Sequence, residues 1–258
     1  MAGSTSEQGS KTKGVYVVGA LCLWLFATAA FFGACPTYPV CSLFAVFLAS
    51  ALLGSIPWGV IISRVFYHTD VREHGSGNIG TTNAMRTMGK VGGSAVFLLD
   101  FGKGLASGLL AYAALCIVAS AGVSQTSAPV AYEDLTAMAF LGCVWGHIFS
   151  PWLHFHGGKG IAVAIGCLFV MFGWQSALIE ILLFAVIVVA SRYVSAGSIA
   201  AALLCPILGA YHFLFMGFYP WAFAFCTVAA LTVVWAHREN IARLRAGTER
   251  RVGSKKEA

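Results

Sequence analysis

Between Ile161 and Ser191 the chain carries a single charged side chain, Glu180. Comparable runs cover 15–34, 43–63, 91–121 (broken only by Asp100 and Lys103), 135–150 and 199–236. Water leaves few options for such stretches. A run of about 20 apolar residues is long enough to cross the hydrocarbon core as a helix, and a spanning helix satisfies its own backbone where lipid cannot. With 59% apolar and 10% charged residues, the chain lacks the roughly 25% charged residues that keep a soluble domain's exterior wet. A soluble nucleic-acid-binding domain, a disulfide scaffold and a disordered chain are excluded together. The expected fold class is all-α, a polytopic transmembrane helical bundle.

Charge position sets the topology. The formal net charge of +6 resides in short segments between apolar runs, as expected of cytoplasmic loops under the positive-inside bias. With the N-terminus inside, residues 64–90 and 151–160 and the basic tail from His237 face the cytoplasm, while 122–134 faces outward. Run 161–191 is too long for one crossing; a hairpin broken near Gly173-Trp174 returns Arg192 to the inner side. Run 199–236 splits at Gly217–Pro220. The total is eight helices, with every Lys and Arg except Lys103 on one side. Residues 1–42 form an N-terminal extension whose run 15–34 reads as a cleaved signal or a retained anchor, its length favouring retention. Residues 43–252 form the membrane domain, and 253–258 a polar tail. Cys35 and Cys41 flank one short segment and could pair; the remaining cysteines lie in apolar runs as small hydrophobes.

The same topology gathers the polar motifs at one face. Gly75-Ser76-Gly77-Asn78-Ile79-Gly80, followed by Thr82, Asn83 and Arg86, forms the first large inner loop. Gly157-Gly158-Lys159-Gly160 precedes a helix, Ser195 and Ser198 lie at another helix start, and His237, Arg238 and Asn240 follow the last span. Backbone N–H groups of glycine turns can form anion-binding nests, a helix N-terminus adds its positive dipole end, and Arg86, Lys159 and Arg238 add full charges. His237 and Asn240 share a face if the last helix continues. These features indicate a phosphate-binding site at the membrane–cytosol boundary. Bland readings compete with several of them: the arginines beyond Arg243 suit anionic headgroups, and Asp100 with Lys103, one turn apart, suits a structural ion pair. Gly75, Gly77 and Gly80 match G-x-G-x-x-G, but no strand precedes them as a dinucleotide fold requires. No P-loop and no His-x4-Asp pair is present, His154 and His156 have no converging ligands for a metal, and no cofactor is expected.

The motifs resemble those of the bacterial acyl-phosphate-dependent glycerol-3-phosphate acyltransferases of the inner membrane. The resemblance runs from about Leu43 to Val252, through Gly54-Ser55-Ile56-Pro57-Trp58-Gly59, Arg72 to Gly80 with Asn83 and Arg86, Asp100 with Lys103-Gly104, and His147-Ile148-Phe149. It continues through Gly157 to Gly160, Ser195 with Gly197-Ser198, His237-Arg238-Glu239-Asn240 and Arg243-Leu244. Trp58, Thr81 and the position of Pro151 depart from the family pattern. The resemblance implies seven helices, to which 15–34 adds an eighth. It also implies transfer of an acyl group from long-chain acyl phosphate to the 1-hydroxyl of glycerol 3-phosphate, with membrane lipids as surroundings and no CoA or acyl carrier protein. Ser76, Arg86, Lys159, Ser198, His237 and Asn240 would line the site, with Ser76 and nearby N–H groups on the acyl-phosphate oxygens. An organophosphate or anion transporter remains the alternative, although transporters favour midplane sites in internal repeats and none is evident here.

Overall fold

The computed structural model describes residues 39–120 and 132–253, and every regular element among them is helical. The expected helix 15–34 lies outside the described residues, as does Cys35 of the possible Cys35–Cys41 pair.

Helices α1 (Pro39–Ser55) and α2 (Trp58–Phe66) divide the first described span at Ile56-Pro57. Pro57 cannot donate to the helix ladder, and its ring disfavours helical geometry before it. Helix α3 (Thr81–Ser120) starts earlier than the apolar run that announces it and kinks at Gly89, where φ is +73°. Its first two turns therefore belong to the polar face rather than to the span. Helix α4 covers Tyr132–Ile148. Run 161–191 is the expected hairpin, α5 (Ile161–Met171) and α6 (Gly173–Ser191), turning at Gly173 with φ +79°. Helices α7 (Val194–Phe215) and α8 (Pro220–Ala236) follow, and short α9 (Arg238–Arg245) bends away from α8 by 52°.

Helix α5 explains the placement of the loop before it. Eleven residues rise only about 17 Å, against about 28 Å for the 19 residues of α6, given 1.5 Å per residue. Measured from their shared turn, the loop at 157–160 therefore lies well below the level that α6 reaches at Ser191. That loop is set into the bundle rather than laid over it.

Close helix contacts hold the frame. A Cβ at Gly146 of α4 would lie 1.9 Å from the Ala51 carbonyl oxygen of α1, and one at Gly104 of α3 would lie 2.3 Å from that of Val163 in α5. Small residues permit this backbone approach, which drives helix association where lipid is as apolar as any side chain. The main core brings together Phe140, Val144, Val163, Leu168 and Val233 from α4, α5 and α8. Large apolar side chains such as Leu98, Leu109, Leu182 and Val189 stay on the outer surface, as lipid contact requires.

Candidate active site

Two glycine loops and the segment 237–252 meet at the end of the bundle where α5 and α7 begin. The first loop is braced before it starts. Asp70 accepts hydrogen bonds from Arg64 and Arg72 at 2.8 and 2.7 Å and from the Arg72 amide at 3.0 Å. The Arg72 side chain, with its neighbour Arg64, holds that carboxyl far below the ordinary value despite some burial. Buried Asn83 then organises the loop. Its amide nitrogen donates to the carbonyls of Val71, Asn78 and His74 at 2.8, 2.9 and 3.0 Å, and its oxygen accepts from the Ser76 N–H at 2.8 Å. Gly75 and Gly77 adopt φ of +63° and +70°, the region only glycine enters without strain.

These bonds alter the expected chemistry. The Ser76, Gly77 and Gly80 amides are spent on Asn83, the His74 carbonyl and Asn78 respectively. An anion-binding nest from those three groups is therefore not formed. The exposed Ser76 hydroxyl and Thr82 remain at the rim.

The second loop likewise spends its first two amides. Gly157 N–H donates to the Ile148 carbonyl at 2.9 Å and Gly158 N–H to that of His147 at 3.1 Å. Gly160, at φ +82°, caps the start of α5. Those two amides are therefore not free for an anion, and full positive charge at this face comes from side chains.

Those side chains converge. The Lys159 ammonium donates to Asn240 Oδ1. Asn240 Nδ2 donates to Glu249 Oε1 at 2.7 Å, which also accepts from the Ser195 hydroxyl at 2.8 Å, while Arg243 Nε donates to Glu249 Oε2 at 2.7 Å. An amide has two donor hydrogens and two acceptor lone pairs, so Asn240 keeps one of each for a ligand. Arg86 lies within electrostatic reach of Lys159 and Glu249. Burial lowers the Lys159 pKa and the nearby Arg243 charge adds to this, against the pull of Glu249 and Glu239. The result is a poorly hydrated cation that gains by meeting an anion.

His237 occupies the bend between α8 and α9 and is buried. Its Nδ1 lies 2.8 Å from the Val233 carbonyl oxygen. A carbonyl only accepts, so Nδ1 carries the proton and Nε2 keeps its lone pair. Burial lowers its pKa to about 4; the bond to Val233 opposes this and the Lys159 charge reinforces it. The imidazole is neutral near pH 7. Asn240, three residues on, is buried beside it although the helix bends rather than continuing. Ser198 is buried one turn beyond Ser195. Arg238 stands apart: its guanidinium lies over the exposed Trp235 ring, 4.2 Å from the centroid.

Glu249 escapes a reading of the sequence. It sits in a segment dominated by arginines that resembles a headgroup-facing tail, yet it folds back onto Ser195, Asn240 and Arg243. The Val252 N–H bonds the Arg192 carbonyl at 2.8 Å and fixes the return. Burial would raise the Glu249 pKa, but hydrogen bonds from Arg243, Asn240 and Ser195 outweigh it and hold the carboxyl below its ordinary value. The available signal was one carboxylate two residues after Gly247, among five arginines between 238 and 251.

The glycerol-3-phosphate acyltransferase family pattern matches residues 43–247. A glycerol-3-phosphate acyltransferase of Rhodopseudomonas palustris (strain HaA2) is 40% identical over 212 residues, covering 82% of this chain and 96% of the relative. One from Acaryochloris marina is 38% identical, covering 81% and 92%. The chain belongs to the glycerol-3-phosphate acyltransferase family. Its fold is also that of a solved member, the integral membrane glycerol 3-phosphate acyltransferase PlsY. The glycerol 3-phosphate form of that protein superposes with a TM-score of 0.67 at 33% identity, over 82% of this chain and 96% of the other. The lysophosphatidic acid form gives 0.65 at the same identity, over 82% and 95%. The matched region includes both glycine loops and His237 to Arg243. Glu249 lies two residues beyond its end.

Proposed function

We propose that this chain transfers a fatty acyl group from acyl phosphate to the 1-hydroxyl of glycerol 3-phosphate, at the cytoplasmic face of a bacterial inner membrane. The acceptor follows from the relatives, whose names specify it, and from the solved neighbour's glycerol 3-phosphate form. The donor assignment rests on the family resemblance and on chemistry. Two substrates that both carry phosphate suit a site whose ligand-facing charges are Arg86 and a desolvated Lys159, and acyl phosphate brings its own good leaving group. The basic segments at this end support the cytoplasmic orientation. Residues 43–252 serve as the acyltransferase domain.

In this reading Lys159 and Arg86 hold phosphate charge, and the Ser76 and Ser198 hydroxyls and the spare Asn240 amide hydrogen fix orientation. The glycerol hydroxyl oxygen attacks the acyl carbonyl carbon. The new ester C–O bond forms, the bond from carbon to the phosphate oxygen breaks, and lysophosphatidate and phosphate result. The hydroxyl proton leaves on phosphate. His237 is a weak candidate for its acceptor, because a general base works best with a pKa near the working pH and this imidazole sits at about 4. Its neutral Nε2 instead accepts a hydrogen bond from an acceptor hydroxyl. Alignment and stabilisation of developing negative charge supply the rate.

The observation that carries this reading is the convergence of Lys159, Ser195, His237 and Asn240 from three separate segments. Purified protein with labelled glycerol 3-phosphate should release one phosphate per lysophosphatidate when palmitoyl phosphate is supplied. No product is expected with palmitoyl-CoA or palmitoyl-acyl carrier protein. Equal turnover with palmitoyl-CoA would overturn the donor; uptake into vesicles without product would replace the enzyme with a transporter.

A further inference from the structure

Gly157 and Gly158 of the second loop are not in left-handed geometry, so conformational freedom does not explain them. Space does. A Cβ at Gly157 would lie 1.9 Å from the His147 carbonyl oxygen, and one at Gly158 would lie 2.1 Å from His147 Nε2. The loop that ends in Lys159 therefore rests on the last turn of α4, chiefly on His147, with its main chain bonded to the His147 and Ile148 carbonyls.

His147 is itself held from below. The Lys103 ammonium lies 2.9 Å from His147 Nδ1, 2.9 Å from the Ile56 carbonyl oxygen and 2.9 Å from Asp100 Oδ1. An ammonium has three donors and no acceptor, so it donates to His147 Nδ1 and to the Ile56 carbonyl, while its contact with Asp100 Oδ1 is an ion pair without hydrogen-bond geometry. Nδ1 must be the unprotonated ring nitrogen, and the Nε2 proton faces Gly158. All three side chains are almost fully buried. Buried charges of this kind give little net stability over packed apolar residues; what they supply is direction. The bond to Ile56 extends the connection. Ile56 lies in the break that begins α2, and Gly59 of α2 packs against the Ile79 carbonyl of the first loop, 1.9 Å from where a Cβ would stand.

We infer that Asp100, Lys103 and His147 form a buried support that places the Gly157–Lys159 loop against the first glycine loop, making His147 a positioning residue for the acyltransfer reaction. This rests on the function proposed above. A fixed loop fixes Lys159 relative to Asn240, and a support that gives way loosens the grip on glycerol 3-phosphate before it harms the fold.

A double-mutant cycle on KM for glycerol 3-phosphate tests it, using His147→Ala, Gly158→Ala and both together. Each single change should raise KM about tenfold, and the pair should be no worse than the worse single, because residues acting through one contact are non-additive and removing the ring clears the space that a Cβ at 158 needs. A purely structural His147 would lower the melting temperature and the yield of active protein, hence apparent kcat, and leave KM in place. An unchanged KM in His147→Ala, or KM effects that multiply in the pair, overturns the inference. Should His147→Ala not be recovered folded, Asp100→Asn combined with Lys103→Met removes both charges at once and takes the donor from Nδ1. The same rise in KM is expected there, and an unchanged KM again overturns it. A wild-type chain without acyl-phosphate-dependent turnover would contradict the proposed function instead. The cycle is then read on the rise in melting temperature produced by inorganic phosphate, which each single change should diminish and which an intact rise in His147→Ala would contradict.

Discussion

The two glycine loops look alike in sequence and are built on opposite principles. Loop 75–80 is held from within: Asn83 bonds His74 just before it and Ser76 and Asn78 inside it, and Gly75 and Gly77 take the backbone conformations that only glycine tolerates. Loop 157–160 is held from outside, leaning on the carbonyls and ring of α4, and its first two glycines serve close approach. In neither loop do these amides wait for phosphate. Glycine-rich sequence at an anion site can thus mean packing, and the binding charge then comes from side chains that the packing presents.

The contrast can be broken experimentally. The largest effect is expected at Gly157→Ala, where the new methyl meets a main-chain oxygen that cannot rotate away. Displacing Lys159 should cost at least about 100-fold in kcat/KM, as misplacement by an ångström does in well-oriented reactions, measured with saturating acyl phosphate. Asn83→Ala comes next. It leaves several part-buried backbone groups of one loop unpaired at about 1–3 kcal/mol each, and should lower the melting temperature along with activity. Gly77→Ala should be milder. Its Cβ would stand 3.3 Å from the Arg72 carbonyl oxygen, so the main penalty is left-handed backbone at about 1–2 kcal/mol, seen as a lower melting temperature with KM altered only a few-fold. If Gly77→Ala proved worse than Gly157→Ala, the distinction between the loops would be lost.

The smallest effect is in pH. Glu249 is held below its ordinary value in the folded chain, so its contribution to stability is fully present above the unfolded carboxyl pKa and is lost as pH falls through the folded one. Wild-type melting temperature should therefore decline on acidification below about pH 4.5, the ordinary carboxyl range, more steeply than that of Glu249→Gln. Identical acid profiles would remove Glu249 from the site's framework.

Much of the frame was legible because lipid demands it: apolar runs of spanning length, the hairpin turn at Gly173, and an Asp100–Lys103 pair one helical turn apart all follow from pattern and spacing. The kink at Gly89 was not, since the polar turns before it resemble loop. Glu249 was not, since its partners Ser195, Asn240 and Arg243 are brought to it by a chain reversal that no local pattern encodes. The role of His147 was hidden for the same reason. Its value lies in what stands 2 Å from an absent Cβ, and sequence records only the glycine.

At the centre stands the claim that Lys159, presented by a loop packed on α4, holds the phosphate of the acyl acceptor. Equilibrium binding of labelled glycerol 3-phosphate to purified protein in lipid nanodiscs tests it most directly. Saturable binding that inorganic phosphate displaces is expected for the wild type. Lys159→Met, at an unchanged melting temperature, should bind at least about 30-fold more weakly, corresponding to loss of a charge-assisted contact of about 2 kcal/mol. Equal affinity in Lys159→Met would contradict the account.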